Sequence, residues 1–493
     1  MNLEKQALFI IFTAIAVACV SMALVLASGL KAATIGTLLL LCLILSFKYP
    51  RAALWLFLIY LPFGGTITYL APVYQAVGDK ISFNTSLYAM FQVAKDAFYL
   101  PAAIALFFST KFFQDLRTKN KPLSIALLAL LTVCLLTLFF VNLPQPKGNA
   151  FLMGVIGLKV LLGYIPLIAC AYYLIRDRQD LLFFTRLQVI LILICCTLCL
   201  TQYLFLLTGI CDGNTNLTGV AVKQATLQAR CFVGGSLLYN PIKDLIRLPG
   251  TFVSPWQWGW FLIAGSFIAY AASVVESSRL WRIVSWVTIG FILIATLISG
   301  QRIALLLVPF IFLLLLGLTN KDKKWLLLKF GIIFLVGIIS ATQVGLVKEQ
   351  IGGLIDRWNY SSPFKFTIEQ FQWVLRNHLE ILGNGLGKTA SAARRFGNIK
   401  LIETFYAQLL YEIGVIGTIA FVGVVSVLTV STFRAKQRLQ DISLKHLAIC
   451  LWVFIAFISY NTYYYPLMVD PVAVYYWFLA GILLKLPQIE IQQ

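Results

Sequence analysis

Histidine is almost missing from this chain. His378 and His446 are the only two in 493 residues, they stand far apart, and neither has partners at ligand spacing, so a histidine-built metal centre has no support. No cluster of carboxylates takes its place, and no Ser-His-Asp set can be assembled. Charge is scarce too. Charged residues make up 12% of the chain and apolar ones 60%, with a mean hydropathy of +0.87, which excludes an ordinary soluble globular protein. Low-complexity tracts and repeats of fixed period are also lacking. The apolar runs continue from end to end and leave no stretch for a separate soluble domain.

What is present in excess is basic charge, with a net +20. The Lys and Arg residues sit in short clusters between apolar runs rather than on one basic face, which argues against a nucleic-acid partner and for a positive-inside membrane topology. Eight of the ten cysteines (Cys19, Cys42, Cys134, Cys170, Cys195, Cys196, Cys199, Cys450) lie inside apolar runs and behave as small hydrophobes. Cys211 and Cys231 differ. They bracket a polar loop and pair only if that loop faces an oxidising compartment.

The fold class read from these features is all-α, a polytopic membrane protein with about fourteen transmembrane helices and a long periplasmic loop that contains an amphipathic surface helix. The runs fall near 7–29, 32–47, 52–72, 87–109, 123–143, 150–175, 182–209, 252–275, 283–299, 302–319, 325–347, 403–431, 447–462 and 466–486. The first is too long for a signal-peptide core and reads as a retained span. A tight turn at Ser299-Gly300-Gln301 separates the ninth from the tenth. Residues 1–493 form one membrane domain on this reading, with an outer loop at 210–250 and a long outer loop at 348–402.

Orientation follows from the basic residues. With the N-terminus inside, Lys48 and Arg51; Lys111, Arg117, Lys119 and Lys121; Arg176 and Arg178; Arg279 and Arg282; Lys321, Lys323 and Lys324; and Arg434, Lys436, Arg438 and Lys445 all fall on one side. The opposite short loops carry little more than Lys31, Lys80 and Lys147, so both termini are expected in the cytoplasm. Within the long loop, Ile368, Phe371, Leu375, Leu379 and Leu382 recur at helical spacing, which predicts the surface helix.

Polar chemistry can collect in the outer loops. Gly387-Lys388-Thr389 invites a phosphate-loop reading, but Leu382 stands where that motif needs its first glycine, and no parallel strand precedes it. A flexible glycine turn suffices. Five arginines remain: Arg247 in RLPGTFVSPWQWGWF, Arg302 at the head of the tenth span, and Arg357, Arg394 and Arg395 in the long loop. Guanidinium forks suit phosphate oxygens, although arginines at helix ends also anchor spans to lipid head groups. Glu403 opens ETFYAQLLYEIGVIG, where the long loop enters an apolar helix. A glutamate there is favoured by the helix dipole alone, or serves as a general base. Lys95, Asp96 and Lys159, inside predicted spans, are expensive to bury and are expected to pair or line a cavity.

Three of these places, and a fourth that precedes the last of them, resemble the O-antigen ligase and polymerase superfamily, integral membrane glycosyltransferases that use undecaprenyl-diphosphate-linked glycans. Arg247-Leu248-Pro249-Gly250-Thr251-Phe252 with Pro255 resembles the family's arginine, glycine and aromatic entry to a span. Ser299-Gly300-Gln301-Arg302 resembles its serine/arginine turn. Glu403-Thr404 with Gly414 and Gly417 resembles its signature of a polar pair followed by two spaced glycines, and Gly383-Asn384-Gly385-Leu386-Gly387 resembles the glycine turn that ends its long periplasmic loop. The likeness covers roughly the C-terminal half. Ligases of the family carry histidine, their proposed base, where Glu403 stands; glutamate also accepts a proton, and a polysaccharide polymerase fits the change better than a lipid A core ligase.

What the resemblance implies is a metal-independent, cofactor-free, inverting, GT-C-like glycosyltransferase in the cell inner membrane. Arg247 and a partner among Arg302, Arg357, Arg394 and Arg395 would bind the diphosphate, and Glu403 would take the acceptor proton. Its partners would be a polyprenyl-diphosphate-linked glycan, an acceptor glycan or lipid, membrane lipids and a chain-length regulator. Two other classes remain open: a secondary transporter, since relatives in this superfamily have been proposed as bicarbonate transporters, and a non-catalytic component of a polysaccharide export complex.

Overall fold

The computed structural model describes residues 30–69, 74–77, 80–83, 95–106, 120–145, 149–319, 362–394 and 396–492. The expected spans at 7–29 and 325–347, much of 87–109, the basic clusters at 111–119 and 321–324, Lys147, Arg357 and Arg395 lie outside the described residues. The chain divides into two compact units, one made of Met1–Thr110 and Leu191–Trp258, the other of Lys111–Ile190 and Gly259–Gln493.

In chain order the helices are α1 (Leu30–Lys48), α2 (Pro50–Tyr60, continuing through a tighter turn to Thr68), α3 (Lys121–Thr137), α4 (Ala150–Leu162), α5 (Leu167–Leu174), α6 (Arg178–Leu207), α7 (Pro255–Val275), α8 (Arg279–Ile298), α9 (Arg302–Thr319), α10 (Pro363–Asn377), α11 (Phe405–Gln437), α12 (Ile442–Tyr460) and α13 (Val472–Ile491). Among the described residues nine helical stretches are long and apolar enough to cross a membrane, or ten if the bent pair α4 and α5 forms one span. This is a multi-pass membrane protein. The described spans coincide with the predicted runs because apolar stretches of about 20 residues hide their backbone polar groups only as helices.

The fold is not wholly helical. Tyr74–Val77 (β1) pairs antiparallel with Lys80–Phe83 (β2), and Leu238–Asn240 (β3) with Leu245–Arg247 (β4). The second hairpin belongs to the expected loop at 210–250, which is a built structure in the first unit. Cys211 and Cys231 are disulfide-bonded. Buried Asn214 donates to the carbonyls of Ala221 and Gln224 and accepts from Tyr239 N–H at 2.9 Å, so one side chain satisfies the backbone of a turn that no ladder reaches.

In the second unit α13 is the central element. Trp477, Tyr475 and Tyr476 on it are all buried, as expected of a helix that is apolar all round, and a side chain at Gly481 would meet the Ile168 carbonyl of α5. Two ion pairs tie the basic ends of this unit. Arg186 grips Glu276 with both prongs at 2.7 and 2.9 Å, and Arg178 reaches Asp441 at 2.9 Å. Burial alone would raise the Glu276 carboxyl, but the Arg186 guanidinium and the Ser278 amide outweigh it and hold it below the usual carboxylate range.

Candidate functional site

Within the second unit, polar groups gather along the first turns of α11. That helix is broken at Gly414, whose φ of 67° and ψ of −166° no helical residue adopts. The carbonyls just before the break are capped by the segment that follows α10: Asn384 N–H donates to Tyr411 at 2.8 Å and Gly385 N–H to Glu412 at 3.2 Å. Glu412 itself is 1% exposed. Its Oε1 accepts from the Thr389 amide at 2.7 Å and the Thr389 hydroxyl at 2.6 Å. Thus the GNGLGKT loop does close around an acidic group, and that group is a side chain of this protein rather than a phosphate.

The opposite side of the loop is held by α3. A π-helical turn at Leu138–Asn142 prolongs that helix and carries Asn142 at its end. Asn142 is fully buried; it donates to the carbonyls of Leu386 and Ala150 at 3.0 and 3.2 Å and accepts from Leu386 N–H at 2.9 Å. Thr137 donates to the Leu382 carbonyl at 3.0 Å. Irregular backbone among membrane-spanning helices survives only when protein groups satisfy it in this way. The expected flexible glycine turn is therefore corrected. Its glycines serve close approach, since a Cβ at Gly383 would run into the Glu412 carbonyl and one at Gly157 on α4 would overlap the Gly387 amide.

Lys388 emerges from this loop half-buried, and burial holds its ammonium below the ordinary lysine value. Arg394, further along, is exposed.

Upstream, the predicted surface helix is α10, Pro363–Asn377, shorter than the spacing suggested because the chain leaves the helix before Leu379 and Leu382. Pro363 at its first position and the Ser362 hydroxyl, which accepts from Lys365 N–H at 3.2 Å, set its start. Val374 packs on Ile402, Ala407, Leu410 and Tyr411, while Phe364, Ile368 and Leu375 remain exposed, so the helix is amphipathic with an uncovered apolar face.

Glu403 stands where α10 meets the entry to α11 and the chain between α12 and α13. It precedes Thr404, the residue that caps α11, so it lies just outside the helix and the dipole argument applies to it weakly. Its amide donates to Gln370 of α10 at 3.3 Å and its carbonyl accepts from Tyr464 N–H at 3.0 Å. Thr404 bridges to Tyr463. Tyr464 and Tyr465 both have left-handed backbone, with φ of 55° and 34°, which costs a bulky residue on the order of 1–3 kcal/mol each. The Tyr465 phenol is pushed up to about 12 by burial and then by the negative charge of Glu403.

Arg302 lies in the second unit, partly exposed at the start of α9 after the tight turn at Gly300, φ 65°. Arg247 lies in the first unit, exposed at the end of β4. Its neighbours Leu248 to Phe252 are buried: the Thr251 carbonyl accepts from Gly65 and Thr66, and the Phe252 carbonyl from Gly235. Sequence reasoning missed Glu412, Asn142, Lys388 and Tyr465. A signal existed for Glu412, a carboxylate inside an apolar run, and for the three adjacent tyrosines before Pro466; nothing local marked Asn142. No protein-family model matches this chain, and a search of curated proteins finds no match to it.

Proposed function

We propose that this protein is a metal-independent glycosyltransferase that transfers or polymerises glycan from a polyprenyl-diphosphate-linked donor at the outer face of the cytoplasmic membrane. The observation that carries the reading is the strained pair Tyr464–Tyr465 held against Glu403, because backbone strain of this kind clusters at functional sites. Glu403 lies beside a surface helix with an exposed apolar face and among tyrosines whose rings can pack on sugars. The disulfide in the 210–250 segment supports an oxidising compartment for that loop, and this agrees with the side that the basic clusters leave free.

In this mechanism Glu403 takes the proton of an acceptor hydroxyl as its oxygen bonds to the anomeric carbon. The bond to the diphosphate breaks on the opposite side, and the leaving group departs with the electron pair. Arg302 and Arg394 of the same unit would neutralise the charge that develops there; Lys388 is a further cation for it. The test is extension of a polyprenyl-diphosphate oligosaccharide by the purified protein. Glu403→Gln is expected to slow extension about 10²–10⁴-fold and Arg302→Ala about 10²–10³-fold. If both variants extend glycans at the parent rate, the assignment falls.

One observation favours a secondary transporter instead. A span broken at Gly414 beside buried Glu412 has the form of a discontinuous transport helix. Against it, the Glu412 carboxyl group is already occupied by the Thr389 amide and hydroxyl. Uptake of labelled bicarbonate into proteoliposomes that Glu412→Gln abolishes would decide for transport.

A further inference from the structure

The far end of α11 holds a second feature. A crevice of about 680 Å³ opens in the second unit between the last turns of α11, the start of α3, Tyr172 of α5 and the last part of α13. That volume falls within the ~300–1,000 Å³ range of small-molecule sites. Arg434 and Arg438 lie one turn apart on one face of α11 and both line it. Its described lining includes no carboxylate. The acids nearby in sequence are engaged elsewhere: Asp441 by Arg178, and Glu490 by the amides of Gln440 and Asp441.

The lining is graded. At the level of the arginines it is polar, with Gln488 and with Asn120, which accepts from Ser431 at 3.1 Å. Away from them along α11 it passes to Val430, Val427 and, on α13, Leu484. Ser426 to Arg438 spans about 18 Å of helix at 1.5 Å per residue. Arginines at a helix C-terminus are favoured by the dipole without any ligand, but that does not account for a slot that is cationic at one end and mostly apolar beyond it, with Ser431 and Ser426 among its lining. Such a slot fits an amphiphile with an anionic head. An aromatic side chain in the lining suits a head-group level: Tyr172, with Lys485 over its ring at 5.3 Å.

We propose that this crevice binds an anionic phospholipid, with its phosphate between Arg434 and Arg438 and an acyl chain along Val430, Val427 and Leu484. The site is separate from the Glu403 region, which lies at the opposite end of the 33-residue α11. It does not depend on the chemistry proposed there.

Protein purified into phosphatidylcholine nanodiscs doped with phosphatidylglycerol tests this by native mass spectrometry of the retained lipid. The parent protein is expected to retain phosphatidylglycerol preferentially. The Arg434→Ala/Arg438→Ala double variant should lose that preference about thirtyfold, two surface cations' worth of attraction. Val430→Trp, which fills the apolar slot and leaves both arginines, should lose it too, and Arg434→Lys/Arg438→Lys should keep most of it. Equal retention by the parent and the double alanine variant overturns the proposal; should that variant fail to fold, equal retention by the parent and Val430→Trp does the same. Inorganic phosphate is the second arm. If it stabilises the parent and Val430→Trp alike and displaces the lipid, the site takes free phosphate and the lipid assignment is wrong.

Discussion

The RLPGTF segment of the first unit and the GNGLGKT segment of the second face one problem with different means. Each is irregular backbone buried among apolar helices. In the first, peptide groups pair with peptide groups: Gly65 and Thr66 donate to Thr251 at 2.9 and 3.1 Å, Gly235 to Phe252 at 2.8 Å and Ser236 to Val253 at 2.9 Å. In the second, two backbone hydrogen bonds, from Asn384 and Gly385 to Tyr411 and Glu412, are joined by side chains, Glu412, Asn142 and Thr137, that bond the rest. Neutral backbone pairing demands that chains touch, so the first segment should be intolerant of added bulk. The second is just as closely packed, and because a carboxyl and an amide side chain also hold it, it should in addition be intolerant of lost polar groups.

The largest effect expected concerns bulk. A Cβ at Gly65 would overlap the backbone of Phe252, whereas one at Gly64 meets nothing within 4 Å. Gly65→Ala should yield little monodisperse protein in detergent while Gly64→Ala unfolds at the parent temperature; similar behaviour of the two would dissolve the contrast. Next comes Glu412→Ala, which strands the Thr389 amide and hydroxyl at ~1–3 kcal/mol each and should cost about 4 kcal/mol, with Glu412→Gln losing roughly half of that. Equal losses in thermal unfolding would mean that the charge is immaterial.

Replacing Cys211 and Cys231 by serine should cost about 3 kcal/mol, given a sequence separation of 20. Reductant should lower the parent to the same level and leave the variant unmoved. Asn142→Leu comes next at about 2 kcal/mol, read as faster proteolysis within 378–394. The smallest effect is on Lys388. Its folded pKa lies below the ordinary 10.5, so the unfolded chain binds the proton more tightly, and stability should rise as pH climbs from the lowered value towards 10.5. Lys388→Met should flatten that slope.

The comparison also separates what was legible in the sequence from what was not. Spans such as α3, α6 and α12 were readable because hydropathy is a local property, and α10 because Ile368, Phe371 and Leu375 repeat along one face. The turn at Gly300 was readable for the same reason. The cradle around Glu412 was not, since its donors come from Thr389 and its brace from Asn142, far away in the chain, and an asparagine near the end of a span looks like any interfacial residue. Attention fell on Glu403 because it opens the apolar stretch, while Glu412 in the same stretch passed as part of the helix. The pairing of Cys211 with Cys231 stayed open because it turned on a compartment, which no spacing reveals. Whether Arg247, Arg302 and Glu403 serve one substrate is a matter of tertiary placement that spacing along a chain does not encode.

The break at Gly414 has a mechanical consequence. Only five residues separate the end of α10 at Asn377 from Gly383, which packs against the last peptide units before the break. Helix α10 is thus spliced, through a short connector, onto the joint in α11. Whatever lifts or rolls α10 would pull at that joint, and the stub from Phe405 to Ile413, with Glu403 just ahead of it, would pivot without dragging the remainder of the rod.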